Sequence, residues 1–599
     1  MFGHETLSYN PLQRETIKYV EDDCNLIVLA PTSSGKTVVA EQFIQPTIEK
    51  GEKAIYLSPL KALTQEKLDD WSSKVASITA ITGDHVHVTK AVQQNLVLMT
   101  TEALDSKTRG DQAWLYKVGT IVSDESHLLA SVGRGDAFEV GLTRFSLMNP
   151  DARIIFLSAT IPNTKVLADW LTRLNGKPTK VVETDWRPVK QEHHLKSLSG
   201  NYYFFLEEAM CRINEILKRH KTSQVLIFVH TINHGLKISQ RFKIPFHYSK
   251  VGMDERHRIE SGYRKGSIRR LVATSTLAFG MNLPADVGVI VGNRRGPMPV
   301  SPADIKQEAG RIGRYGLSEN GVVYYLFPED NAEEVYDQVL NTPDIESVLP
   351  SRLYFHVCSF VAREGMQRGE INDFLSKTLG VEQFNLKVND AIETLKDYDA
   401  LVEDNGGLRA TKIGRASALM YLDPIDLYYW RENFMGKPMT PTAIAKAFAD
   451  IPSNHIHTFV PKSLDNPIDL AYGQASLIAT CVRDWIGGRP MEGMLYSIIP
   501  PIIKDIDRIV SGMKLAGLHK AYIDNFYMMI KHGVDDRLLE LISINGIGRK
   551  RAKALAHKNI RTKKEIVDNE VVSRNILGPK LYNAIKESIT APGKIRLIF

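Results

Sequence analysis

Leu29-Ala30-Pro31-Thr32-Ser33-Ser34-Gly35-Lys36-Thr37 decides the fold. It closes an apolar run, NLIVL, and opens an amphipathic one with Val38, Val39, Phe43 and Ile44 on its apolar face. A glycine, four residues, a second glycine, a lysine and a serine or threonine make a phosphate loop when they join a strand to a helix. Ala30 stands where the first glycine belongs. The remaining positions fit the chemistry. Thr32, Ser33, Ser34 and Gly35 supply backbone N–H groups at a helix start, Lys36 a point charge for the β- and γ-phosphates, and Thr37 a hydroxyl for Mg²⁺. A turn of small residues before a helix would share this spelling, so the rest of the chain has to decide.

Asp124-Glu125-Ser126-His127 follows the apolar run TIVS and so sits at the carboxyl end of a strand, where open α/β sheets bind ligands. There Asp124 can hold Mg²⁺ through water, while Glu125 orients and deprotonates an attacking water. Adjacent carboxylates are common on solvated loops, but downstream of a phosphate loop they point to an ATPase. Ser158-Ala-Thr160 ends the run RIIFL and offers hydroxyls that couple this site to a neighbouring domain. Gln307-Glu-Ala-Gly-Arg311-Ile-Gly-Arg314 puts two arginines one helical turn apart, on one face, in reach of a γ-phosphate across a cleft.

At 599 residues the chain exceeds one hydrophobic core. With 43% hydrophobic and 24% charged residues it has the composition of ordinary globular proteins. A net charge of +6 permits a nucleic-acid partner without demanding one. Cys24, Cys211, Cys358 and Cys481 are too scattered for a metal site or a disulfide framework, which indicates a reducing compartment. No apolar signal region or membrane-length run is visible, so a cytoplasmic location is expected, or a nuclear one in a eukaryote.

Five apolar runs alternate with amphipathic segments up to RIIFLSA, and the rhythm returns with QVLIFVH, RRLVATS, VGVIVG and GVVYYLF. Two parallel sheets covered by helices follow from that alternation. Helical periodicity then takes over, interrupted by a turn-rich stretch that predicts a short β-wing after three helices. The expected domains are 1–186 and 187–345 (α/β), 346–424 (winged), 425–533 (all-helical) and 534–599, which carries INGIG between two helices.

These residues resemble the superfamily 2 DExH helicases, and within them the superkiller-like branch. The match runs in order through Pro11-Leu-Gln13, Ser58-Pro-Leu-Lys61-Ala-Leu63, Thr82-Gly-Asp84, the segment from Thr100 to Ser106, Phe228-Val-His-Thr231, Phe246-His-Tyr248 and the segment from Thr274 to Ala285. The domain order is similar to that of the archaeal Hjm-type repair helicases and of the helicase half of DNA polymerase theta. The resemblance implies two RecA-like domains, a winged helix, a helical ratchet domain and a helix-hairpin-helix domain. It implies that Gln13 reads adenine, that Gly280 and Gln307 join the ATP site, and that Lys61, Thr82, Thr101, Thr274 and Thr276 hold a strand by its phosphates. The ratchet helix would span residues 502–518, with Arg508 at its basic position.

The tail carries a second signal. Gly546 and Gly548 would bare backbone N–H groups before a basic helix beginning Arg549-Lys550-Arg551, a pattern that grips phosphates without reading sequence. LGPKLYNAIKE further on is a candidate degenerate repeat of it. Two departures from the family stand out. Leu515 falls where a stacking Trp is usual, and leucine cannot stack on a base. Between Ala285 and Gln307, Arg294-Arg-Gly-Pro297 leaves room only for a small turn where relatives carry a strand-separating hairpin. The expected activity is an ATP- and Mg²⁺-dependent, 3′ to 5′ helicase or translocase, acting as a monomer on single-stranded or forked DNA in repair, recombination or fork processing. An RNA helicase of the same branch and an ATP-driven remodeller with little unwinding are the alternatives.

Overall fold

The computed structural model describes residues 9–31, 34–58, 61–82, 93–110, 112–131, 133–159, 161–186, 189–248, 251–274, 285–295, 298–313, 320–341, 343–362, 365–404, 407–434, 481–489, 499–517 and 520–590. Thr32, Ser33, Thr160, Thr276, Gly280 and Arg314 lie outside them. Two compact units are present: Met1–Arg352 with Asn372–Leu386, and Leu353–Ile371 with Lys387–Phe599.

The first unit holds two parallel sheets. One contains β1 (Asn25–Leu29), β2 (Lys53–Leu57), β3 (Ile78–Ile81), β4 (Leu96–Met99), β5 (Val118–Asp124), β6 (Arg153–Ser158) and β7 (Thr179–Glu183), in the order β3-β4-β2-β5-β6-β1-β7. All residues of β1, β2 and β4 are buried, because helices cover both faces. Leu29, Ile55, Val97 and Phe156 pack toward one helical layer, and Val28, Tyr56, Leu98 and Leu157 toward the other. The second sheet contains β8 (Lys190–Leu198), β9 (Val225–Val229), β10 (Phe246–His247), β11 (Arg270–Thr274), β12 (Val287–Val291) and β15 (Asn320–Pro328), in the order β10-β11-β9-β12-β15-β8. Between β12 and β15 a two-stranded hairpin, β13 (Arg294–Arg295) and β14 (Met298–Pro299), pairs Arg294 with Pro299 and Arg295 with Met298. It is as small as the sequence anticipates.

In the second unit β16 (Met366–Gln367), β17 (Leu401–Asp404) and β18 (Gly407–Ala410) form an antiparallel sheet in the order β16-β18-β17. Among the described residues from 353 to 397 there are four helices, where the sequence predicts three. The expected ratchet helix spans Ile499–Leu515; it admits Pro500 and Pro501 because a first turn has no intrahelical N–H bonds to lose. Near the C-terminus, Leu539–Ile542 and Arg549–Ala556 flank a turn in which Gly546 adopts φ +91°, a left-handed backbone that favours glycine. Gly578, at φ +81°, joins Glu570–Leu577 to Pro579–Thr590 within LGPKLYNAIKE. No helix among the described residues is long and apolar enough to cross a membrane.

Candidate active site

Strands β5, β6 and β1 are parallel neighbours, so the loops after them rise from one edge of the sheet. After β1, Gly35 caps the helix Lys36–Glu49 at φ +91°. A Cβ there would meet the Gln13 amide nitrogen at 2.4 Å. Asn10 and Gln13 cap each other's backbone, then brace the loop from below: Asn10 Nδ2 donates to Ser34 O (2.8 Å) and Gln13 Nε2 to Gly35 O (3.4 Å). Lys36 Nζ donates to Ala30 O at 2.9 Å. The Ser34 hydroxyl is buried and makes no hydrogen bond, an orphaned polar atom in a loop shaped for an anion.

Asp124 ends β5. Its Oδ2 accepts from Tyr56 Oη at 2.6 Å and its Oδ1 from the Glu125 N–H at 3.0 Å. Glu125 takes a left-handed backbone (φ +53°, ψ +47°) that costs a non-glycine residue about 1–3 kcal/mol and is held only where surroundings over-determine it. Those surroundings are visible. Gln307 Nε2 donates to Glu125 Oε1 at 3.0 Å, and His127 Nδ1 lies 3.4 Å from Glu125 Oε2 and 3.2 Å from Ser158 Oγ. His127 therefore links Glu125 to the end of β6.

The two carboxyls are driven apart. Burial, reinforced by Glu125, raises the Asp124 pKa against the Tyr56 hydrogen bond and the charges of Lys36 and Lys67. Burial also opposes ionisation of Glu125, but Lys36, His127, Arg311 and the Gln307 amide overcome it and hold its carboxyl below the ordinary value. Glu125 is thus held in the ionised form that a general base needs. Burial lowers the His127 pKa, keeping the imidazole neutral. Thr37 and Asp124 offer hydroxyl and carboxylate oxygens, the donors a hard divalent cation takes.

The second sheet supplies the far wall. Gln307 lies on the helix Pro302–Ala309. Arg311 is not on that helix, which corrects the expectation of Arg311 and Arg314 on one helical face. Gly310 ends the helix, and Ile312 bridges to Ala285. The bridge is doubled, Ala285 N to Arg311 O (3.2 Å) and Gly313 N to Ala285 O (2.7 Å), while Gln191 Nε2 donates to Ala309 O (2.8 Å) and Ile312 O (2.5 Å). Arg311 is held by a pinned turn. Burial lowers its pKa, and Glu125, Glu66 and Asp124 oppose that, so its charge faces the carboxylates of the first domain.

Sequence reading missed Tyr56, Gln191, Asn10 and Lys67. Only Lys67 leaves a signal, as a lysine on the apolar stripe of its helix. The expected strand contacts are more varied. Lys61 is exposed at the start of the helix Lys61–Ser72, Thr274 is half-buried at the end of β11, and Thr82 and Thr101 are buried. Arg508 Nη1 donates to Met420 O (2.8 Å) and Tyr421 O (2.7 Å), at the end of the helix Lys412–Met420. Arg549 lies over the Trp485 ring (4.0 Å) and donates to Trp485 O (3.2 Å), whereas Gly546, Gly548 and Lys550 are exposed.

Residues 10–168 match the DEAD/DEAH box helicase family and residues 208–316 the helicase conserved C-terminal domain. The chain is 25% identical to the ATP-dependent DNA helicase Hel308 of Thermoplasma volcanium, over 92% of this chain and 91% of the relative. It is likewise 25% identical to Hel308 of Pyrococcus abyssi, over 96% of this chain and 93% of the relative.

Proposed function

We propose that this chain, which belongs to the superfamily 2 DExH helicases, hydrolyses ATP to move along single-stranded or forked DNA in the 3′ to 5′ direction. The observation that carries the reading is the 3.0 Å bond from Gln307 to Glu125. It ties the residue suited to activate water, on one sheet, to the helix preceding Arg311 on the other. Hydrolysis and relative movement of the two sheets are thereby one event. Lys36 and the loop N–H groups bind the phosphates. Glu125 orients water for attack on the γ-phosphorus and takes its proton as the bond to the β-phosphate oxygen breaks, releasing ADP and phosphate. Arg311 offsets charge on the transferred group. Mg²⁺, held through Thr37 and Asp124, supplies further neutralisation of the phosphates when bound.

The second unit supports a nucleic-acid role. The β17–β18 hairpin beside helices is read as a winged helix, and the turn carrying Gly546 and Gly548 as a helix-hairpin-helix. Exposed N–H groups and Lys550 at that turn suit a phosphate backbone. Arg549 is assigned to Trp485 instead. An ATP-driven remodeller with little strand separation is the second reading, favoured by the two-residue strands β13 and β14.

ATPase stimulation by single-stranded DNA and RNA, at fixed salt, tests the first reading alongside unwinding of forked duplexes and displacement of a bound protein. Stimulation should be stronger with DNA, and Lys36→Ala and Glu125→Gln should each lower it by two orders of magnitude or more. Normal turnover in either variant would sink the assignment. Stimulation without strand separation would select the remodeller.

A further inference from the structure

The helix Lys61–Ser72 turns Thr64, Leu68 and Trp71 inward, at the i, i+4, i+7 spacing of a core-facing stripe. Lys67 falls on the same stripe, three residues after Thr64 and four before Trp71. A lysine there is out of place unless its ammonium has a partner. Its stem leads Nζ to 5.5 Å from the Trp71 ring centroid, and Nζ ends 3.0 Å from Thr37 Oγ1. A cationic group thus contacts the hydroxyl to which the proposed function assigns the divalent metal. Lys36 is turned to Ala30 O, so Lys67 is the cation in contact with Thr37.

We propose that Lys67 is a positioning residue that stands in for the divalent metal: its ammonium holds the Thr37 hydroxyl until Mg²⁺ arrives with the nucleotide. This rests on Thr37 and Asp124 being the metal's residues. Ammonium and metal both draw on the lone pairs of the Thr37 hydroxyl oxygen and repel each other at that distance. Without nucleotide, Mg²⁺ then binds poorly. The nucleotide's phosphates shift the balance, and Lys67 withdraws along a flexible stem that keeps its cation–π contact with Trp71. The chain's own side chain makes metal entry conditional on nucleotide.

The test is binding of a fluorescent ADP analogue with and without Mg²⁺, read as the ratio of the two affinities, together with the shift in Tm that Mg²⁺ alone produces. In Lys67→Met the stem length is kept and the charge removed. The affinity ratio should rise about tenfold, and Mg²⁺ alone should raise the Tm of the variant but not of the parent. Lys67→Arg, which keeps a cation, should restore the parental behaviour of both. Lys67→Gln serves if the methionine variant does not fold. A ratio that stays the same or falls in the uncharged variants would overturn the inference while leaving the ATPase reading intact. Failure of the parent to bind the analogue at all would instead strike at the ATPase reading.

Discussion

At position 308 the chain buries a carboxyl group whose two oxygens have no hydrogen-bonding partner. Glu308 follows Gln307 on the same helix, and its Oε1 lies 3.7 Å from Nδ1 of His230, just beyond β9; both side chains are at most 1% exposed. Burial, with Asp304 adding to it, raises the Glu308 pKa well above the carboxylate range, while Arg295 acts the other way. Burial also presses the His230 imidazole down to about 4, with Arg295 and His234 contributing the same sign. His230 is therefore neutral at pH 7, and burial favours the protonated form of Glu308. Glu308→Gln, which imitates a protonated carboxyl, should change stability by no more than about 1 kcal/mol and ATPase by no more than about twofold. Were the pair ionised, the same change would strand a buried imidazolium at a cost of about 3–5 kcal/mol. A denaturant titration of the two proteins separates these outcomes. The ATPase rate should also show no step attributable to His230 between pH 5 and 8.

Among elements, the helix Gly135–Met148 carries a second buried carboxyl with a different consequence. Glu139 Oε2 accepts from Ser347 Oγ (2.5 Å) and its Oε1 from the Gly380 N–H (2.8 Å), fastening the chain after the second sheet, and the helix Leu379–Phe384, to the first. Burial, only partly offset by these two bonds, raises its carboxyl to about 7. Below about pH 4.5 the group is protonated folded or unfolded. As pH rises toward 7 the folded form holds a proton that the unfolded form has released, so stability falls across that window by about 1.4 kcal/mol per pKa unit of difference. Glu139→Gln should lack this loss. Its Tm should match the parent at pH 4.5 and exceed it at pH 8, a difference that scanning calorimetry at several pH values would register. This fastening was not legible in the sequence, because a glutamate on an amphipathic helix reads as solvated until its partners, more than 200 residues away, are placed. Strands built on short apolar runs were legible. β8 was not: it reads KQEHHLKSL and, among the described strands, pairs with β15 alone, at the edge of its sheet, with alternate residues exposed. The phosphate loop and the Asp124–Glu125 pair were legible because their chemistry is local. The turn of Arg311 was not, since its shape depends on Ala285 and Gln191.

For the molecule as an engine, the question is what makes the two parallel sheets respond to one nucleotide. In the proposed function the phosphate loop, metal-suited oxygens and water-activating carboxylate all belong to the first sheet, so nucleotide binding is not expected to need the second. Turnover does, because Gln307 reaches the ionised Glu125 and Arg311 faces the same carboxylates. Gln307→Glu tests that division. The substituted carboxyl keeps the shape but exchanges a donated hydrogen bond for a like charge at about 3 Å, in a site where burial weakens screening. Either the new carboxyl takes up a proton or the sheets are pushed apart, and both disturb the geometry that Glu125 needs to orient water. DNA-stimulated kcat should fall roughly a hundredfold, in line with losing one positioned polar group at a reacting centre. Binding of an ADP analogue should stay within about threefold of the parent. A parallel loss of binding would show that the second sheet helps build the nucleotide site, and unchanged kcat would show that Gln307 couples nothing. Because the two quantities are measured on the same preparation, the ratio of their changes locates the coupling in turnover or in binding.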